Sequence, residues 1–195
     1  TSNEYKQTLI LATGSKEGAY YEAGKEISQW VNNDWAKHTI IPIPTEGSID
    51  NINRLKAGTT DFAIVQRDIL AEVYYNINSP FSDLEVILPL FPEALQILVR
   101  SDDTISSLSM LRDKIENGSI NKIGIGPKNT ATHKIFKQVM EMNGILLSDE
   151  SFETSATSSY LQNFIEGDID AIAFMSTCPI MALSDIAQDI MYVSM

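Results

Sequence analysis

Short apolar runs alternate along the chain with stretches whose apolar residues recur every three or four positions. That alternation predicts an α/β fold with mostly parallel strands. Residues 8–13 (TLILAT) read as a buried first strand. The spacing then predicts a helix from Tyr20 to Trp35, with Tyr20, Ala23, Ile27, Trp30 and Val31 on one stripe. Residues 39–43 (TIIPI) predict a second strand, and Pro42 places it at a sheet edge or a strand end. Ser48 is suited to cap a helix bearing Ile49, Ile52 and Leu55 that stops at Gly58. Strand DFAIV (61–65) and a helix over 68–75 complete this first series.

Residues 85–100 (EVILPLFPEALQILVR) break the rhythm, because two apolar runs follow each other with no helix between them. A chain leaving one sheet and entering another reads this way. The expected division is therefore lobe one over 1–92 and lobe two over 93–195, with a hinge near 89–95. A second series follows: a helix over 106–116, a strand at NKIGIG (121–126) and a helix over 130–142 with Ile135, Phe136, Val139 and Met140 inward. After it come a helix over 158–166 with Tyr160, Leu161, Phe164 and Ile165 inward, strand DAIAF (170–174), a helix after Pro179 and a final run IMYVS (190–194). The return of the chain to lobe one, which would complete such a plan, is expected to be missing.

Charge and cysteine content narrow the chemistry. A net charge of −12 makes nucleic acid a poor partner, since phosphate contacts need clustered Lys and Arg. It says little about a small ligand, because a few local donors set a pocket's sign against the global field. The one cysteine, Cys178, has no internal disulfide partner, and the two histidines, His38 and His133, have no ligand-like spacing; no metal or cofactor is expected. No run of about 18 apolar residues, the length of a membrane span, is present. Catalytic motifs such as GxSxG and HExxH are also absent, and neither GxxxxGK[ST] nor GxGxxG is formed. Asp168 and Asp170 flank a strand start and read as turn formers rather than an acid–base pair.

Candidate chemistry concentrates where strands give way to helices. The first corner is Thr13-Gly14-Ser15, leading to Tyr20; the second holds Gly47-Ser48; the third is Gly126-Pro127-Lys128-Asn129-Thr130. Glycine admits close approach of a ligand, and the unpaired N–H groups of a helix start attract anions. Such corners lie beyond the carboxyl ends of strands, where open α/β sheets bind their ligands. Gln66 follows DFAIV and offers both a donor and an acceptor. Arg67 can grip a carboxylate with two parallel bonds, or stay solvated while Asp68 caps the next helix.

LILATGSKEGAYYEAGKEIS (9–28) and PTEGSIDNINRLKAGTTDFAIVQRDIL (44–70) resemble TAXI-type solute-binding proteins, the capture subunits of a class of TRAP transporters. The family's patterns are a TG turn before a Tyr-Tyr pair, then TxGSxxN and LxxGxxDxAxxQxD. LPLFPEALQILVRSDDTISSLSML (88–111), GIGPKNTAT (124–132) and GDIDAIAFMSTCP (167–179) extend the likeness over nearly the whole chain. One departure is Lys128-Asn129-Thr130-Ala131, where the family usually carries Gly-Ser-Gly-Thr; another is a longer link at 113–123. The resemblance implies a periplasmic or surface-anchored, two-lobed protein of the type II periplasmic-binding class that closes like a Venus flytrap. It also implies a glutamate, dicarboxylate or oxo-acid ligand, membrane transporter subunits as partners, and a cleft lined by Gly14, Ser15, Tyr20, Gly47, Ser48, Gln66 and Thr130. Thr13, Arg67 and Asn129 join that set on the corner chemistry alone.

Two functions follow as expectations. One is a non-enzymatic capture subunit that takes up a small anionic metabolite outside the cytoplasm. The other is the extracytoplasmic input domain of a membrane receptor, with a signalling module as its partner. An enzyme on the same scaffold would need a catalytic motif, and none is legible.

Overall fold

A computed structural model describes residues 7–34, 37–75, 84–100, 105–177 and 190–192, and for residues 74, 75 and 190–192 the backbone only. The chain forms two compact units, Thr1–Phe91 and Pro92–Met195. Each is taken on its own.

The first unit contains β1 (Gln7–Ala12), α1 (Ala19–Asp34), β2 (His38–Ile43), α2 (Ser48–Lys56), β3 (Phe62–Ala63) and α3 (Arg67–Tyr75). Its sheet runs β2-β1-β3, all parallel. Pro42, which has no N–H to donate, sits on the edge strand β2 as expected. Only Phe62 and Ala63 of the DFAIV run form the β3 ladder. Beside them the Asp61 carboxylate accepts the Ile10 N–H at 2.7 Å, a side chain standing in for the next ladder bond.

The inner stripe of α1 differs from expectation at one position. Tyr20, Ala23, Ile27 and Val31 pack on the core of Leu11, Ile40 and Ile64, but Trp30 is 79% exposed. At about 100° per residue, Trp30 falls on the margin of that stripe, while Gly24 and Ser28 occupy the buried contact line. A Cβ on Gly24 would lie 2.5 Å from Thr13 Cγ2 and 3.3 Å from Pro42 Cβ. Helix and sheet are therefore in near-backbone contact, and the tryptophan has no room between them.

Residues 84–93 form neither helix nor strand, so only the second apolar run expected there becomes a strand. Val86, Ile87, Leu88 and Leu90 are exposed.

The second unit contains β4 (Ala94–Arg100), α4 (Leu108–Glu116), β5 (Ile123–Gly124), α5 (Ala131–Met142), a short 3₁₀ turn (Asp149–Ser151), β6 (Phe152–Glu153), α6 (Thr157–Glu166), β7 (Ala171–Ser176) and β8 (Ile190–Tyr192). Strand order is β6-β5-β7-β4-β8. The β5–β6 and β5–β7 pairs are parallel, whereas β4 runs antiparallel to both β7 and β8. The parallel expectation thus holds in the first unit and is modified in the second. Alternation along β4 splits the core. Leu95, Ile97 and Val99 join Phe136 and Met140 of α5, while Leu98 faces Tyr160 and Phe164 of α6. Ile165, expected inward, is 40% exposed, since it follows Phe164 around the helix and away from the sheet. The helix expected after Pro179, Cys178 and residues 193–194 of the last run lie outside the described residues.

Candidate functional site: strand-to-helix corners

The corners of the first unit are tied to one another by side chains the sequence offered as ligand contacts. Thr13 is fully buried, and its hydroxyl donates to the Ile43 carbonyl at 2.6 Å. Thr45 N–H donates to the Gly14 carbonyl at 2.9 Å. Ser48 does not cap its own helix: it is the first residue of α2, whose N-cap is Gly47, with no side-chain cap. The Ser48 hydroxyl instead accepts the Gln66 N–H at 2.9 Å and so joins the second corner to the one that follows β3. The hydroxyls of Thr13 and Ser48 are thus both engaged within the protein.

Beside these engaged side chains, the corners offer mainly backbone donors. The first N–H groups of an α-helix lack intrahelical acceptors and carry partial positive charge. At α2 this end is reached through Gly47, whose φ of 103° and ψ of −158° only glycine adopts comfortably. Gly47 N–H itself donates to Thr45 Oγ1 at 3.2 Å. Ser15, partly buried, lies in the turn before α1, where Gly18 N–H donates to the Ser15 carbonyl at 2.9 Å. The Gln66 side chain is partly buried at the start of α3, and Arg67, the first residue of that helix, is exposed. Tyr20 packs on the unit's core with its ring 6.0 Å from that of Phe91. The structure thus gathers Thr13, Gly14, Gly47, Ser48 and Gln66 into one hydrogen-bonded assembly and sets Ser15 and Arg67 at the entrances of α1 and α3.

Sequence reasoning missed the centre of this assembly. Asn51 is fully buried, and its amide nitrogen donates to the carbonyls of Thr13 at 2.6 Å and Ile64 at 2.7 Å. Its amide oxygen accepts the Thr45 hydroxyl at 2.6 Å. The signal was present as the asparagine of GSxxN, an amide one turn into a helix on its inward side. A shallow cavity of about 430 Å³ lined by Pro44, Thr45, Glu46, Asp50 and Arg54 adjoins the second corner. Its charges are largely satisfied internally, with Arg54 Nε on Asp50 Oδ2 at 2.9 Å.

Asn129 and Thr130 belong to the second unit. Thr130 is the N-cap of α5, and its hydroxyl accepts the His133 N–H at 3.3 Å while donating to the Pro127 carbonyl at 2.8 Å. His133 is buried, with Nδ1 3.1 Å from the Gly126 carbonyl, a structural placement at the corner. Thr132 binds the end of β7 by accepting the Met175 N–H at 3.0 Å. Asp170 accepts the N–H groups of Asn121 and Lys122 at 2.8 and 3.0 Å, which is the turn-forming part expected of it. Among the described residues no group of three or more His, Cys, Asp or Glu side chains could hold a metal ion. Nor is any described helix long and apolar enough to cross a membrane.

Two α/β units, the first with an all-parallel sheet and the second with a mixed one, match the fold of type II periplasmic binding proteins. Residues 11–194 match the NMT1-like family, and the chain belongs to that family. Solved structures agree on the fold. The chain is similar to the periplasmic aliphatic sulphonate binding protein SsuA of Escherichia coli, with TM-score 0.58 and 14% identity over 96% of this chain and 60% of that one. It is also similar to the amino acid ABC transporter substrate-binding protein AbpA of Streptococcus pneumoniae bound to L-arginine, with TM-score 0.62 and 16% identity over 95% and 74%. The regulatory domain of CcmR from Synechocystis PCC6803 in complex with 2-PG gives TM-score 0.64 and 12% identity over 96% and 80%. The chain therefore spans 60% of the length of the Escherichia coli protein.

Proposed function

We propose that this chain captures a small anionic solute outside the cytoplasm and presents it to a membrane importer, without catalysing a reaction. The observation that carries this reading is the knitted set of corners in the first unit. There, the carboxyl ends of three parallel strands and the starts of three helices are held together by Thr13, Thr45, Ser48 and Asn51. Fixed N–H groups at helix starts suit a carboxylate, sulfonate or phosphate, because their alignment needs no reorganisation when the anion arrives. Ser15, Gly47, Gln66 and Arg67 would supply contacts from the first unit, with Gly14 allowing close approach and Tyr20 lying against the ligand's carbon skeleton. Asn129 and Thr130 hold the corresponding place at the start of α5 in the second unit. The units would serve as lobes hinged near residues 89–95.

For the importer, the likeness to an ABC substrate-binding protein favours an ABC-type partner, and the TAXI-like motifs at 9–28 and 44–70 favour a TRAP-type one. A second reading, a sensory ligand-binding domain, draws support from the regulatory domain of CcmR. Both readings demand the same binding event. A thermal-shift screen of amino acids, dicarboxylates, oxo-acids and alkanesulfonates is expected to raise the melting temperature with at least one anion; a hundredfold excess over Kd corresponds to about 2.7 kcal/mol. Gln66→Ala should weaken that binding by about tenfold, the equivalent of one lost hydrogen bond of roughly 1.4 kcal/mol. Unchanged affinity in this variant would remove the proposed pocket.

A further inference from the structure

The Asn51 amide uses both of its protons and one oxygen lone pair on three different corners. Thr13 O belongs to the corner after β1, Thr45 to the corner after β2, and Ile64 O to the corner after β3. Two carbonyl acceptors fix which end of the amide is nitrogen, so the orientation follows from the hydrogen bonds themselves. An isosteric aspartate would place a carboxylate oxygen against two carbonyl oxygens. The three bonds measure 2.6–2.7 Å and reach three separate chain segments.

We propose that Asn51 is a positioning residue whose buried amide presets the ligand-facing N–H groups of the first unit before any ligand arrives. This rests on reading those corners as the ligand site. The consequence passes through Thr45. Its hydroxyl, fixed by Asn51, takes the Gly47 N–H, and its own N–H holds the Gly14 carbonyl. Across a trans peptide the N–H points opposite to the C=O, so the Ser15 N–H is turned away from Thr45. Without Asn51, the carbonyls of Thr13 and Ile64 lose their side-chain donor and the Thr45 hydroxyl loses its acceptor. The corners could then shift independently, and a ligand would have to order them on binding.

The test pairs hydrogen exchange with binding. Amide exchange at Thr13, Thr45, Ile64 and Gln66 is followed in Asn51→Ala, Thr45→Val and Thr45→Ser, with Ile125 of the second unit as the internal control. Affinity for succinate, L-glutamate and methanesulfonate is then measured by calorimetry well below the melting temperature. The Thr45 pair keeps the test decisive should Asn51→Ala fail to fold. Expected are corner amides exchanging at least tenfold faster in Asn51→Ala and Thr45→Val but not in Thr45→Ser, an unmoved Ile125, and Kd raised at least tenfold in the same two variants. A residue with only a structural part would lower the melting temperature and leave Kd alone. Unchanged corner exchange overturns the role of Asn51 while leaving the site standing. Faster exchange with unchanged Kd overturns the inference, whereas the site falls separately if Gln66→Ala also leaves Kd unchanged.

Discussion

Replacing Gly24 by alanine sets helix propensity against packing. In an exposed helix interior this change stabilises by about 1 kcal/mol, because alanine gives up less conformational freedom on folding than glycine. In α1 the new methyl would stand 2.5 Å from Thr13 Cγ2 and 3.3 Å from Pro42 Cβ. Thr13 cannot simply rotate away, since its hydroxyl is committed to the Ile43 carbonyl at 2.6 Å, and the proline ring is rigid. Relief must come from α1 lifting off the sheet. Overpacking of this kind costs about 1–3 kcal/mol, and the contact distance argues for the upper part of that range. The net expectation is a loss of about 1–2 kcal/mol. For a unit of this size that lowers the melting temperature by roughly 4–8 °C per kcal/mol. Thermal and urea unfolding, followed by circular dichroism, measure it directly. Thr13→Ser removes the offending methyl and keeps the hydroxyl, so the double variant should recover most of the loss, giving a coupling of about 1 kcal/mol or more. A rise in melting temperature for Gly24→Ala, or additivity with Thr13→Ser, would refute the close helix–sheet contact.

Two predictions concern titration. The ammonium of Lys137, 3.1 Å from Asp149 Oδ1, and beyond it Lys128 hold the Asp149 carboxyl below its ordinary value of 3.8. Its stabilising contribution is present above that unfolded value and is lost as pH falls through the lower folded one. Lys137→Ala should move the Asp149 titration, read by carboxyl-carbon NMR, up toward 3.8; an unmoved curve would dismiss the pair. Burial raises the Tyr160 hydroxyl above its ordinary 10.0, with its proton directed at the Ala173 carbonyl. Stability from this residue is intact below the unfolded value and declines as pH climbs past it. A phenolate titration should show one tyrosine ionising only as the protein unfolds in alkali, an event absent from Tyr160→Phe.

Much of the fold was legible because its strands and helices obey simple periods. Phe136 and Met140 of α5, and Tyr160 and Phe164 of α6, were marked inward by spacing and are buried. The failures share a cause. Spacing also places Trp30 and Ile165 inward, but the line of closest packing is set by side-chain size, through Gly24, and by angular position. At the corners, residue type pointed to the right places but not to the division of labour. Whether a hydroxyl such as that of Ser48 caps its own helix or reaches Gln66, eighteen residues on, depends on how two corners meet in space, and local sequence does not encode that. Asn51 was hidden for the same reason. Its three partners are six to thirty-eight positions away.

The stretch from Val86 to Pro92, in which Val86, Ile87, Leu88 and Leu90 are uncovered, bears on how the protein behaves in concentrated solution. Left to itself, so greasy a ribbon would invite neighbouring molecules to add strands. Two prolines interrupt it, and neither can offer an amide hydrogen, so an incoming strand would meet gaps in any shared ladder. Glu85 and Glu93 close off the ribbon with charge of the sign that the molecule already carries in excess. Removing those prolines would turn this stretch into a seed for clumping, whereas trimming its aliphatic side chains would lessen the hazard.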